Sequence, residues 1–195
     1  MKHLYSLLLL FVITSCTQDQ SDFETQNDIK FQIASEQFVT KSGSFLGEPC
    51  KSTDLIAGQN IVAGTVDVYL DGSNISIVYT TNGGWSMEET HMSIGNCTGD
   101  IPTTGSGNPK VGHFEYSANH SAGTTVVTYT ADASTLPLET CFAAHAVVTN
   151  NSGQNETAWG AGIGFPGRSW ATYVELDMSS CTANDRDPRD PGTDR

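Results

Sequence analysis

The stretch Ile61-Val62-Ala63-Gly64-Thr65-Val66-Asp67-Val68-Tyr69-Leu70-Asp71-Gly72-Ser73-Asn74-Ile75-Ser76-Ile77-Val78-Tyr79 decides the fold. Its first half puts Val62, Gly64, Val66, Val68 and Leu70 on one side and Ala63, Thr65, Asp67 and Tyr69 on the other. That period of two belongs to a strand. Asp71-Gly72 then interrupts the run, after which Ile75, Ile77 and Tyr79 alternate with Ser76 and Val78. Two alternating runs around an Asp-Gly pair predict a β-hairpin.

Working outward, Asn82-Gly83-Gly84 is the next turn signal, and Trp85 opens a third run reaching Ile94. Thr124 to Ala131 is a threonine-rich strand built around Val126, Val127 and Tyr129. Cys141 to Val148 is a nearly continuous apolar run of strand length, which predicts a central strand. The last run, Trp170 to Leu176, sets Trp170, Thr172, Val174 and Leu176 against Ala171, Tyr173, Glu175 and Asp177. About six to eight short strands, frequent Gly, Asn and Pro turns and no helical stripe predict an all-β protein. The expected architecture is a single antiparallel β-sandwich domain, reinforced by disulfides.

Before the domain, Met1 to Ser15 is a basic start followed by an apolar run closing on small residues. It has the form of a secretory signal and is too short to span a bilayer. The tetrad Ile13-Thr14-Ser15-Cys16 resembles a bacterial lipobox, with Ile where Leu is commonest. The resemblance implies that Cys16 is acylated and begins the mature chain. One acyl chain binds a membrane only marginally, so stable anchoring needs more than one, which the bacterial modification supplies. Thr17-Gln18-Asp19-Gln20-Ser21-Asp22-Phe23-Glu24 follows, acidic and polar, as a solvated tether. It also resembles the acidic export signals that send lipoproteins to the outer cell surface in some Gram-negative groups. The expected location is therefore the cell envelope, on the outer membrane and exposed at the surface.

The chain thus divides into a signal (1–15), a lipid-anchored polar linker (16–49), a β-sandwich domain (50–181) and a disordered tail (182–195). Within the linker, Phe31-Gln32-Ile33 and Phe38-Val39 are apolar enough to dock on the domain or add a short strand. Beyond Cys16, Cys50, Cys97, Cys141 and Cys181 form an even set in an exported chain, which predicts two disulfides. Four cysteines allow three connectivities; the expected one joins Cys50 to Cys181 and Cys97 to Cys141. No Cys-x-x-Cys pair favours zinc instead.

Charge excludes one class of partner. The chain carries 9 basic and 22 acidic residues, and only Lys51, Lys110 and Arg168 are basic between Cys50 and Cys181. A nucleic-acid surface needs clustered Lys and Arg, so no nucleic-acid partner is expected. The partners that remain are the membrane, through the anchor, and a glycan or surface protein.

Chemistry-bearing residues gather in three places. Glu89 and His91 share a strand face at a spacing of two, His145 stands inside the apolar Cys141 run, and Glu156 precedes a glycine-rich loop running from Gly160 to Gly167. A histidine within an apolar strand must find a partner, and Glu89 or Glu156 is the natural one. Glu89, His91, His145 and Glu156 would then be either a metal or catalytic cluster or a structural network fixing strand register. No nucleophile elbow or His-Glu-x-x-His motif supports catalysis, so no catalytic residue, resident metal or cofactor is expected. The glycine-rich loop has no helix after it to cradle phosphate. Trp85, Trp159, Phe165 and Trp170 are the candidate ligand-binding aromatics, the last three as a stacking platform for a sugar ring. The Asp71/Asn74 and Asn96/Asp100 turns offer few ligands for calcium.

The run Ala57-Gly58-Gln59, Thr81-Asn82-Gly83-Gly84-Trp85, Glu89-Thr90-His91, Ala144-His145-Ala146-Val147-Val148, Glu156-Thr157-Ala158-Trp159-Gly160, Phe165-Pro166-Gly167 and Ser169-Trp170-Ala171 resembles an uncharacterised family of secreted or surface β-domains. That resemblance implies domain boundaries and no activity. The expected function is a membrane-anchored surface lipoprotein carrying a non-catalytic module that binds a glycan or protein partner. The alternative is a secreted hydrolase or metal-dependent enzyme using the Glu/His cluster.

Overall fold

Eleven strands dominate the computed structural model, which describes residues 30–36 and 48–182. They are β1 (Gln32–Glu36), β2 (Lys51–Ala57), β3 (Ile61–Asp71), β4 (Asn74–Thr81), β5 (Trp85–Asn96), β6 (Tyr116–Asn119), β7 (Val126–Asp132), β8 (Glu139–Asn150), β9 (Asn155–Gly160), β10 (Ile163–Gly164) and β11 (Thr172–Asp177). A short helix, α1 (Met178–Thr182), closes the described chain. None of its described helices is long and apolar enough to cross a membrane. Cys16, Phe38, Val39 and the tail beyond residue 182 lie outside the described residues.

The expected hairpin is β3–β4. Asp71 pairs with Asn74 across a two-residue loop in which Gly72 takes φ 58°, the positive value such loops demand and glycine supplies. The expected strands at Trp85, Thr124, Cys141 and Trp170 are β5, β7, β8 and β11, with boundaries moved by a few residues. Phe31-Gln32-Ile33 leads into the extra strand β1, which pairs with β7.

Every pairing between named strands is antiparallel, and the order runs β1-β7-β4-β3-β2-β9-β8, with β11 and β10 continuing beside β9 on β8. The other edge of β8 carries β5 along its whole length, and β5 carries β6. The two walls of the expected sandwich are therefore parts of one continuous sheet that curls until it nearly closes. Across the closing gap, the Tyr79 hydroxyl donates to the His91 carbonyl at 3.1 Å, and Thr90 Oγ1 meets Tyr129 OH at 2.6 Å. Phe31 stacks edge-on against Tyr116 at 4.9 Å. A sheet that nearly closes leaves few unpaired edges, which guards against edge-to-edge association.

The main core fills the inside of the curl. Val66 and Val68 of β3, Ile75, Ile77 and Tyr79 of β4, Met87 and Met92 of β5, Phe142 and Val148 of β8 all have no exposed area. Val62, expected beside Val66, is instead 50 % exposed. The cause is a bulge: Leu55 pairs with Gly64 and Ile56 with Val62, so Ala63 is an extra residue and turns inward in its place. Gly64 faces the neighbouring strand so closely that a Cβ would lie 1.8 Å from the Thr80 carbonyl oxygen. Because backbone cannot yield as a side chain can, Gly64→Ala is expected to cost about 1–3 kcal/mol. Urea unfolding of the variant measures it.

Both disulfides form in the expected pairing, Cys50–Cys181 and Cys97–Cys141, with Cα separations of 4.7 and 4.8 Å. The second fastens the start of the long 97–115 segment to β8. That segment and the 161–171 loop cover the outer face of β8 and β9 with a second, smaller core of Ile101, Phe114, Cys141, Ala143, Trp159, Phe165 and Ala171.

Candidate functional site

His145 sits on the covered outer face because β8 alternates. Phe142, Ala144, Ala146 and Val148 point into the main core, so Cys141, Ala143 and His145 point outward. On β5 a bulge between Met87 and Glu89 sends Thr90, Met92 and Ile94 inward and Glu89, His91 and Ser93 outward. Register then sets His91 opposite His145, and His145 opposite Trp159. The rings stand in a row, with centroids 5.5 Å apart for the two histidines and 4.8 Å for His145 and Trp159.

Glu89 Oε1 lies 2.9 Å from His91 Nε2, so the carboxylate serves His91 rather than His145. Glu156 does not join the cluster. It shares the face of Ala158 on β9, opposite to that of Trp159 and His145, and its carboxylate lies by Gly58, where a Cβ would meet Oε2 at 3.0 Å. Gln154 Nε2 donates to its Oε1 at 3.0 Å. His145 is 6 % exposed, and burial, then the neighbouring His91, pushes its pKa down to about 4. It is a neutral imidazole at ordinary pH.

The aromatic candidates separate. Trp85 is buried in the main core, away from the glycine-rich loop. Trp159 and Phe165 are buried in the second core, 6.3 Å apart edge to face, and Trp170 packs half-buried against them. Their faces do not form an open platform. Phe165 instead stacks on Tyr173 at 5.2 Å, and both line a cavity of about 210 Å³. Ile101 and Pro166 complete its apolar lining, and Thr98 and Thr103 supply hydroxyls. The exposed Cys97 forms part of the wall, so the Cys97–Cys141 disulfide anchors it. Asn108 ties the two lining segments together: its Oδ1 accepts from Ser169 N at 3.0 Å, while Gly167 N donates to the Gly107 carbonyl at 3.2 Å.

Sequence reasoning missed Tyr173, Ile101, Thr98 and Thr103 as lining residues. The 97–110 segment has no alternation to follow, and it is brought over Phe165 by its disulfide to Cys141 and by the bonds of Gly107 and Asn108 to the 167–169 loop. A second, larger hollow of about 500 Å³ lies on the other side of Cys97, among Leu138, Glu139, Glu175 and Asp177. Asp177 is held below the usual carboxylate range by the hydroxyl and backbone N–H of Ser179. Of the two turns considered for calcium, one is tied by Asp100 Oδ2, which accepts from Asn96 N at 2.7 Å, and in the other Asp71 and Asn74 face each other as the closing pair of the hairpin.

No protein-family model, curated protein or solved structure matches this chain.

Proposed function

We propose that this chain is an envelope lipoprotein held at the outer membrane by acylated Cys16, and that its β-domain is a non-catalytic module binding a neutral glycan. The cavity beside Cys97–Cys141 carries the reading. Its lining has aromatic and hydroxyl groups and no charged side chain, in a chain with 22 acidic residues. At about 210 Å³ it is below the range of drug-sized pockets and suits a single ring at the end of a longer ligand. Apolar ring faces stack on aromatic side chains while hydroxyls bond at the edge.

The hydrolase alternative has less to stand on. Ser93, the serine beside the histidines, has no hydrogen-bond partner for its Oγ, so no base is placed to activate it. Glu156 is on the other face from His145.

Titration calorimetry of the full chain against neutral mono- and oligosaccharides tests the glycan reading. Tyr173→Ala is expected to weaken binding at least about tenfold, as loss of a stacking anchor does. A panel with no binder, or an affinity untouched by Tyr173→Ala, would refute it. The anchor is tested separately: Cys16→Ser is expected to move the protein from the membrane to the soluble fraction of the expressing cell, and persistent membrane recovery of the variant would exclude lipidation at that residue.

A further inference from the structure

Among the described residues, three buried side-chain nitrogen or oxygen atoms lack a hydrogen-bond partner: His91 Nδ1, Ser93 Oγ and His145 Nδ1. They are neighbours. His91 pairs with His145 across β5 and β8, and Ser93 follows His91 by two residues on the same face, opposite Ala143. Unsatisfied buried polar atoms are few in native proteins, and each calls for an explanation such as a bound water or ion. Three gathered in one patch point to one occupant.

We infer that His91 and His145 form a two-imidazole site for a divalent transition-metal ion of the zinc or copper class. The tautomer of His91 is the first argument. Glu89 Oε1, 2.9 Å from Nε2, accepts the Nε2 proton, and the lone pair is left on the buried Nδ1. A carboxylate behind the far nitrogen of a ligating histidine is the usual orienting arrangement at metal sites. The second argument is spacing. At a metal–nitrogen distance of about 2.0–2.1 Å, two imidazoles on one tetrahedral ion have ring centroids roughly 5 Å apart, close to the 5.5 Å between His91 and His145.

Ligand type sets the ion. Imidazole nitrogens suit zinc, copper and nickel, whereas calcium and magnesium take oxygen ligands. No described group of three or more His, Cys, Asp or Glu side chains could hold a metal, so this site has two protein donors and open positions for water. Ser93 Oγ is placed on that face to bond such a water. Entry is from the His91 side, where the side chain keeps 12 % exposure against 6 % for His145.

The rival occupant is a buried water donating to both Nδ1 atoms. The test uses the full chain carrying Cys16→Ser, which removes the one cysteine outside the two disulfides, after dialysis against a chelator. Titration with zinc chloride by calorimetry is expected to show one equivalent bound, unaffected by excess calcium. Copper added in place of zinc is expected to give an electron paramagnetic resonance spectrum with hyperfine coupling to two imidazole nitrogens. His91→Gln is expected to weaken zinc at least about tenfold, and Glu89→Gln, which keeps both ligands, about 10- to 100-fold. His113→Gln and His120→Gln are expected to change nothing. Where His145→Gln fails to fold, the more exposed His91→Gln decides. No stoichiometric zinc or copper, a spectrum lacking two nitrogens, or affinity unchanged in His91→Gln would overturn the site and leave the patch to water.

Discussion

Replacing Cys50 and Cys181 together with alanine is expected to lower stability by about 5 kcal/mol, the unfolded-state entropy released on opening a loop of this length. The two residues are 131 positions apart. For a domain of this size, that loss corresponds to a fall of roughly 15–20 °C in melting temperature. Topology adds a reason beyond entropy. On the β2 side the two walls of the sheet are joined as paired strands where Leu55, Ile56 and Ala57 of β2 meet Gly160, Trp159 and Ala158 of β9. Past Leu55 the seam is held by Ala161 N donating to the Asp54 carbonyl at 2.7 Å and by Thr53 Oγ1 donating to the Ala161 carbonyl at 2.5 Å. Cys50 then fastens the far end of β2 to α1, which follows directly on β11 of the other wall. A five-residue helix has no stability of its own, so without the bridge α1 and the seam loosen together. Urea unfolding of the double variant beside the parent measures the loss. A difference below about 1 kcal/mol would mean that the seam holds without its clip.

Legibility of the fold followed the strength of the period-two signal. The β3–β4 hairpin and β8 stand out in the sequence because their apolar residues alternate or run on without interruption. β2, β6 and β9 do not stand out: Lys51–Ala57 and Asn155–Glu156 are polar where they face solvent, and Tyr116–Asn119 is only four residues long. Alternation names a strand's two faces but not its neighbours. The sequence therefore could not distinguish two stacked sheets from one curled sheet, and it could not show that Ala63 would bulge and turn Val62 out. The same limit governs the candidate site. That His145 needs a partner was legible from its apolar surroundings. That it would face His91 rather than a carboxylate depends on the β5–β8 register and on a bulge at Glu88, which no local pattern announces. Glu156 is a candidate partner for His145 in the sequence, yet Trp159 is the residue of β9 that faces His145, and the odd spacing between Glu156 and Trp159 puts Glu156 on the opposite face.

Between pH 7 and pH 4 the metal-free protein, held in chelator, is expected to lose about 3 kcal/mol through His145 alone, and His145→Phe is expected to lack that loss. In the unfolded chain a histidine takes its proton near pH 6.5. In the fold, burial on the covered face of β8, reinforced by His91, holds His145 neutral down to about 4. Between those two values the unfolded state binds more protons than the folded state, so stability falls as pH falls. Above pH 6.5 both states are neutral and the residue contributes no slope; below about 4 both are charged and the loss levels out. His120, whose pKa is also lowered by burial, adds to the slope in the same direction. It is present in parent and variant alike, and so cancels in their difference. Asp132 and Asp177, held low by bonds from Ser134 and Ser179, begin to lose their contribution as pH falls into the ordinary carboxylate range, and they too cancel in the difference. Phenylalanine preserves an aromatic side chain against Trp159 while removing the proton acceptor, so the variant isolates ionisation from packing. Urea midpoints at pH 7, 6, 5 and 4 give the comparison. Parallel curves for parent and His145→Phe would show that the imidazole is not held neutral by the fold.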